Sequence, residues 1–391
     1  MRRAAGARHR RVRRLRRAGT GGGRARGQGA VSRLSTRIAV IGVGLIGGSI
    51  GLAARERLEA SVAGFDASEE ALRAALARGA IDRACGGLAE AVCGAEAVFV
   101  AVPVGALPDT IGAVLAAAPA QCVVTDVGST KRAVVAAHPG PRFVGGHPLA
   151  GAESAGVEHA RADLFEGATW YLTPTSATSG MLYERLHRLL HGLGAAPAAI
   201  DPETHDEILA TVSHLPHVLA NVLVSQAAQA LASGGERLPA TGPSFRDATR
   251  VAGAPSAIWT DIYVSNRDAL ASGIERAIAA LGRVHDALRA GDADRVTAWN
   301  EQAALDRRRL LEGQLAGGEL FQLRASVPNR PGVIAELALA LGRAGVNITD
   351  MALYPAADMS EGVVALWISG AEPARRAQEL IGELGFPVAR A

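Results

Sequence analysis

The chain has 391 residues, 49% hydrophobic and 20% charged, which allows two or three packed domains and excludes a disordered or fibrous polymer. Its net charge of +3 sits at one end: residues 1–36 hold twelve Arg and no acid, so the rest carries −9 and offers no basic surface for nucleic acid. Cys85, Cys93 and Cys122 are odd in number and lack C-x-x-C spacing, which argues for a reducing cytoplasm and against a disulfide or zinc framework.

The Arg-rich head, residues 1–36, has no apolar periodicity and is expected to be a disordered tail. A transit peptide or an arm for anionic partners is one reading. A mis-assigned start or a functionless tail is the favoured one. The chain has a single Lys, Lys131, against forty Arg and is crowded with Ala and Gly, as GC-rich coding produces. The head has no apolar core of a secretory signal.

Residues 37–175 read as a dinucleotide-binding domain. In "TRIAVIGVGLIGGSIGLAARER" a short apolar strand runs into G-x-G-x-x-G and then a helix. Gly42 permits the tight turn, Gly44 lets backbone approach a pyrophosphate, and Gly47 lets the helix pack on the strand. First-turn N–H groups of that helix face the phosphate charge. The strand-like "SVAGFD" then ends in Asp66, nineteen residues past Gly47, where a carboxylate accepts from ribose hydroxyls and repels a 2′-phosphate. NAD is therefore the expected cofactor. Leu45 and Ile46 in the turn, and Val102 and Pro103 ending "AVFVAVP", complete its predicted contacts. Two later strands, "CVVTDVGS" and "RFVGGHP", carry Ser129 and His147 at their carboxyl ends, the edge where ligands bind in such sheets.

Residues 176–315 read as helical. "SGMLYERLHRLLHGLG" is amphipathic and stops on glycine. The run 208–232 is apolar but holds His214, His217, Asn221 and Gln226, so a buried helix pair broken around Pro216 is expected rather than a membrane span. Ser213, His214 and His217 lie in "VSHLPH"; no third ligand accompanies the histidines, so no metal is expected. Arg250 stands among small and apolar residues, suited to clamp a carboxylate or to pair internally with Asp247 or Asp261. So much Ala- and Leu-rich helix suggests a homodimer interleaved through this domain.

"IGVGLIGGS", "TDVGSTK", "VGGHPLAGAESAG", "VSHLPHVLA" and "FRDATRVAGAPSAIW", in this order over residues 36–312, resemble the prephenate/arogenate dehydrogenases of tyrosine biosynthesis. The resemblance implies a Rossmann-type domain followed by an all-α dimerisation domain, and NAD-dependent oxidative decarboxylation of prephenate to 4-hydroxyphenylpyruvate. His147 then accepts the proton of the ring hydroxyl, and Ser129 bonds that hydroxyl or His147. Arg250 pairs with the ring carboxylate, His217 anchors the substrate, and Ser213 lies near nicotinamide or substrate. Glu153, six residues after His147, screens the substrate side chain, where arogenate has an ammonium and prephenate a ketone.

Residues 320–391 read as β-α-β-β-α-β, a ferredoxin-like α+β unit. "VPNRPGVIAELALALGRAGVNI" resembles the amino-acid-binding ACT domain. That resemblance places a regulatory ligand, tyrosine by expectation, at Asn329, Pro331, Gly332, Val333 and Asn347, against a partner subunit; an ACT unit that only assists assembly is the alternative. Three other functions compete: arogenate dehydrogenase, a 3-hydroxyacid dehydrogenase, and a regulator that senses NAD and an amino acid. The second leans on a Lys in the helical domain, and Lys131 lies outside it.

Overall fold

The computed structural model describes residues 36–151, 155–232, 242–312, 319–356 and 360–390. Strands and helices alternate first. They are β1 (Arg37–Ile41), α1 (Leu45–Leu58), β2 (Ser61–Phe65), α2 (Glu69–Ala77), β3 (Arg83–Ala84), α3 (Leu88–Val92), β4 (Ala97–Val100), α4 (Leu107–Ala117), β5 (Val123–Asp126), α5 (Arg132–Ala137) and β6 (Phe143–Pro148). They are followed by β7 (Thr169–Thr173), α6 (Gly180–Gly192) and β8 (Ala196–Ala199). The eight strands form one sheet in the order β3-β2-β1-β4-β5-β6-β7-β8. Neighbours are parallel except β6 and β7.

The central strands β1 and β4 are apolar from Ile38 to Ile41 and from Ala97 to Val100 because both faces are covered. In β1, Ile38 and Val40 pack into one core layer, while Ala39 and Ile41 pack into the other. Helix starts follow local chemistry. Ser68 caps α2 by accepting from the Ala71 N–H, with Glu69 and Glu70 against the positive end of the helix. α6 buries Leu182, Leu186 and Leu190 on one side, at about 1.5–3 kcal/mol each.

The sequence places the change to a helical domain at residue 175, but β8 pairs with β7 and α6 covers them, so the sheet domain runs to about residue 200. The alanine-rich "APAA" is a strand because Trp170 and Leu172 of β7 offer it an open edge.

The helical part comprises α7 (Pro202–Leu209), α8 (Leu215–Ala232), α9 (Pro243–Ala248), α10 (Ser256–Ser265), α11 (Arg267–Ala290) and α12 (Ala293–Glu312). Asp201 caps α7 by accepting from the Thr204 N–H, and Pro202 supplies a preset first turn. Pro216 does not break the helix as expected. A π-helical turn, Ala210–His214, joins α7 to α8, with the Leu215 N–H bonded to the Ala210 carbonyl. The wider turn absorbs the proline's missing donor without a kink. Pro202–Ala230 is thus one continuous helix of 29 residues, apolar and long enough to cross a membrane. It is not a buried pair: Val212, Leu219, Val222, Leu223 and Val224 are exposed in the single chain, while His205, Asp206 and His214 are buried.

The carboxyl-terminal unit comprises β9 (Leu320–Pro328), α13 (Val333–Arg343), β10 (Ile348–Pro355), β11 (Glu361–Ser369), α14 (Ala371–Glu383) and β12 (Val388–Arg390). Its antiparallel sheet has the order β10-β11-β9-β12, the ferredoxin-like arrangement read from the sequence. α13 and β10 pack on α6 and β8. The approach is close: a Cβ on Gly342 would lie 2.0 Å from the Ala199 carbonyl oxygen.

Candidate active site

The glycine turn has the shape a dinucleotide needs. Gly42 takes φ +91°, and a Cβ there would lie 2.4 Å from the Ala101 carbonyl oxygen. A Cβ on Gly47 would lie 1.9 Å from the Gly42 carbonyl oxygen, so α1 packs on the turn only without one. A Cβ on Gly44 would meet nothing within 4 Å; the backbone there faces open space at the α1 N-terminus. Leu45 and Ile46 are half-buried beside it, and Val102 and the exposed Pro103 follow β4 on the same edge of the sheet. Asp66 closes β2. Its Oδ2 accepts from the Val43 N–H at 2.9 Å and its Oδ1 from the Ser68 N–H at 2.9 Å. Each carboxylate oxygen keeps a lone pair for a ribose hydroxyl. These residues fit NAD.

His147 lies in β6, buried at 8% exposure, with Tyr171 as its partner in β7. Its Nδ1 lies 2.9 Å from His205 Nε2, and His205 Nδ1 lies 2.8 Å from Asp206 Oδ1. Asp206 Oδ1 also accepts from the Lys131 N–H at 2.7 Å, and its Oδ2 from the Arg132 N–H at 3.0 Å. The sole lysine is fully buried, with its ammonium on the equally buried Asp126 carboxylate. Asp126 accepts in turn from the Gly146 N–H at 3.0 Å and the Gly128 N–H at 2.9 Å, tying the ends of β5 and β6 together. This explains the glycines before His147: a Cβ on Gly146 would lie 2.6 Å from the Asp126 carbonyl oxygen. Ser129 is half-buried in the turn leaving β5, next to Thr130, whose Oγ1 is 2.8 Å from Ser265 Oγ.

Burial, reinforced by the neighbouring His205, Lys131 and His214, holds the His147 imidazole well below its ordinary pKa. His205 is lowered by burial and by Lys131, against the opposing pull of Asp206. Asp206 is lowered despite its burial, because His205 and two backbone N–H groups bond its charged form. His147 is therefore neutral near neutral pH.

A second wall continues from these groups. Asn266 Nδ2 donates to the Asp206 carbonyl at 2.7 Å and to His214 Nδ1 at 3.2 Å. His214 meets the edge of Trp259, and His217 stacks on that same indole at 3.5 Å. His217 is half-buried and lowered by burial and by the charge of Arg250, which is itself exposed. Ser213 is half-buried in the π-helical turn. Asp261, weighed above as a partner for Arg250, instead accepts from the Gly105 N–H at 3.2 Å and ties α10 to the turn after β4. His214 Nε2, Tyr263 Oη and Asn266 Oδ1 are buried without a protein partner, as expected beside a polar ligand or ordered water. Glu153 lies outside the described residues. Among those described, no group of three or more His, Cys, Asp or Glu gathers at metal-binding spacing.

His205, Asp206, Asn266 and Trp259 were not singled out as site residues by the sequence. "THDE" reads as an ordinary first turn of a helix, and only the packing of α7 on α5 and α11 brings His205 against His147.

A further cavity of about 230 Å³ lies between α6 and the ferredoxin-like unit. Asn329, Pro331 and Val333 line it, opposite Ser179 and Met181 of the same chain, with Leu353 and Tyr354 beside them. Gly332 takes φ +84° next to it and donates its N–H to the Thr178 carbonyl. Asn347 is not part of this cavity: it stands just before β10, at the opposite end of that strand from Tyr354. Within the single chain, the expected ligand turn faces α6.

The chain is similar to known proteins in sequence and in fold. A family model described as the nucleotide-binding domain of prephenate dehydrogenase matches residues 50–198, and one described as the prephenate dehydrogenase dimerization domain matches residues 201–302. Prephenate dehydrogenase of Bacillus subtilis is 32% identical over 364 residues, covering 90% of this chain and 97% of the relative. Cyclohexadienyl dehydrogenase of Zymomonas mobilis is 32% identical over 268 residues, covering 66% of this chain and 90% of the relative. The crystal structure of prephenate dehydrogenase from A. aeolicus with hydroxyphenyl propionate and NAD+ superimposes with a TM-score of 0.68 at 27% identity, covering 71% of this chain and 99% of that one. Synechocystis arogenate dehydrogenase gives 0.62 at 26%, covering 70% and 100%. With a dinucleotide turn, a buried histidine at the edge of the sheet and a matching helical half, this chain belongs to the prephenate dehydrogenase family.

Proposed function

We infer that the chain is an NAD-dependent prephenate dehydrogenase, converting prephenate to 4-hydroxyphenylpyruvate and CO2 in tyrosine biosynthesis. The observation that carries this reading is the buried, neutral His147 at the edge of the sheet where the dinucleotide turn lies, joined by one wall of contacts to His217, which feels the charge of Arg250. The glycine turn with Asp66 holds NAD+, which when bound supplies the hydride acceptor. His147 takes the proton of the ring hydroxyl, so that the oxygen becomes a carbonyl as hydride leaves its carbon. Ser129, in the turn beside the β5–β6 edge, orients that hydroxyl. Arg250 pairs with the ring carboxylate, whose loss as CO2 is driven by aromatisation. His217, held against Trp259, and Ser213 position the ring, and Glu153 screens its side chain. Curated relatives named prephenate dehydrogenases favour prephenate over arogenate.

The exposed apolar face of α8 and the dimerization-domain match support a homodimer. The ferredoxin-like unit functions as an ACT domain, and its cavity takes tyrosine as a feedback effector: the lining is apolar on one side and polar at Asn329, Ser179 and Glu361. The unpaired cysteines support a cytoplasmic enzyme. Following NADH formation with prephenate and arogenate side by side, with and without tyrosine, tests the proposal. Turnover of prephenate that falls on adding tyrosine supports it; inactivity on both substrates overturns it.

A further inference from the structure

The catalytic histidine has two ring nitrogens, and only one of its neutral tautomers leaves a bare nitrogen for the substrate. We propose that Asp206 and His205 are positioning residues that fix this tautomer by a one-way chain of hydrogen bonds, leaving His147 Nε2 as the proton acceptor. The proposal rests on the reading of His147 as the proton acceptor.

The chain runs from its charged end. Asp206 accepts from the Lys131 and Arg132 backbone N–H groups, at 2.7 and 3.0 Å. A carboxylate in that cradle only accepts, so the 2.8 Å contact with His205 requires a hydrogen on His205 Nδ1. His205 is fully buried beside the Lys131 ammonium, and it stays neutral. Its Nε2 is then a bare acceptor, and the 2.9 Å contact with His147 requires the hydrogen on His147 Nδ1. His147 Nε2 is left bare. When the substrate hydroxyl gives up its proton, that proton adds to Nε2. The resulting imidazolium keeps its Nδ1–H bond to His205, and no other proton has to move. The remaining charged or titratable neighbours fit this order. Lys131 is neutralised by Asp126, Tyr171 meets His205 edge-on, and His214 is occupied at Nδ1 by Asn266.

Removing the carboxylate frees the chain. In Asp206→Ala, His205 Nδ1–H loses its acceptor, and nothing then fixes which ring nitrogen of His147 carries the hydrogen. The test is the two-bond 15N–1H spectrum of histidine-labelled free enzyme near neutral pH, with His147 assigned by its loss in His147→Asn. The expected result is Nδ1-protonated His147 in the native chain and a mixture of both tautomers in Asp206→Ala. Turnover should fall on the order of 10²–10⁴-fold in that variant, with NAD+ affinity unchanged. An Nε2-protonated His147 in the native enzyme, or the same single tautomer in both proteins, overturns the proposal.

A second pair of variants keeps it falsifiable should Asp206→Ala not fold. The amide oxygen in His205→Gln still accepts from His147 Nδ1–H and should retain turnover within about tenfold; His205→Leu offers no acceptor and should lose about 10²-fold or more. Equal losses overturn the proposal. The spectrum is read without substrate, so it stands or falls separately from the identity of the substrate.

Discussion

At the residue scale, the chemistry depends on side chains that are buried in a chosen charge state. His147→Asn is expected to lower turnover by about 10²–10⁴-fold while NAD+ binding, followed by fluorescence titration, is unchanged, because the dinucleotide turn is built from other residues. The depressed pKa of His147 has a direct kinetic sign. A histidine held below 6.5 is still neutral where an ordinary one is protonated, so the acid limb of kcat/KM against pH should fall well below pH 6.5. Lys131 is a third case. Among forty arginines it is the one lysine, and its fully buried ammonium sits on the buried Asp126 carboxylate. Lys131→Met strands a buried carboxylate and should cost about 3–5 kcal/mol, measurable by urea unfolding. The sequence showed that Lys131 was unusual; its role under the active site depends on the approach of β6 and α7.

At the element scale, the π-helical turn, Ala210–His214, sets the angular relation between His205–Asp206 before it and His214–His217 after it. Deleting the exposed Val212 removes the residue that the wide turn accommodates and closes it to an α-helical turn, in which Pro216 lacks the needed donor and Ser213 and His214 lose their placement. The expected outcome is a helix with unchanged far-ultraviolet circular dichroism and a lost active site, read as retained ellipticity without NADH formation. The motif "VSHLPH" was visible as a candidate in the sequence. The turn type was not, because a proline in a helical pattern is compatible with a break, a kink or a π-bulge, and packing of the flanking helices decides among them.

At the scale of the whole molecule, buried histidines make stability depend on pH. His187 and His214 are lowered to about 4 by burial, and His147 and His205 are lowered as well. Their unfolded values lie near 6.5, so the unfolded chain binds protons first as pH falls. Stability is full above about pH 6.5 and is lost progressively towards pH 4. His187 packs between α6 and β10 and alone accounts for about 3 kcal/mol over that window. His187→Leu should flatten the acid side of a Tm-against-pH curve, as differential scanning calorimetry would read. The exposed apolar face of α8 leads to one further expectation: Val222→Asp with Leu223→Asp should convert a dimer to monomers in light scattering.

The sequence by itself determined the order of the parts. Glycine spacing, an acidic strand end and alternating apolar runs specified a dinucleotide-binding sheet, and a second strand-helix pattern specified the ferredoxin-like unit, because backbone geometry and hydrophobic period are local properties. His147 and Ser129 are candidates for the same reason, as polar residues at the carboxyl ends of strands, and Arg250 as a cation among small and apolar residues. What only the tertiary structure decided was which groups meet. His205 and Asp206 enter the site because α7 packs on α5 and α11, which brings His205 against His147, fifty-eight residues away in the chain. Likewise, "APAA" becomes the eighth strand, and the expected effector turn faces its own α6. Contacts between distant segments carry no signature in either segment alone, since each reads locally as a satisfied helix, strand or turn.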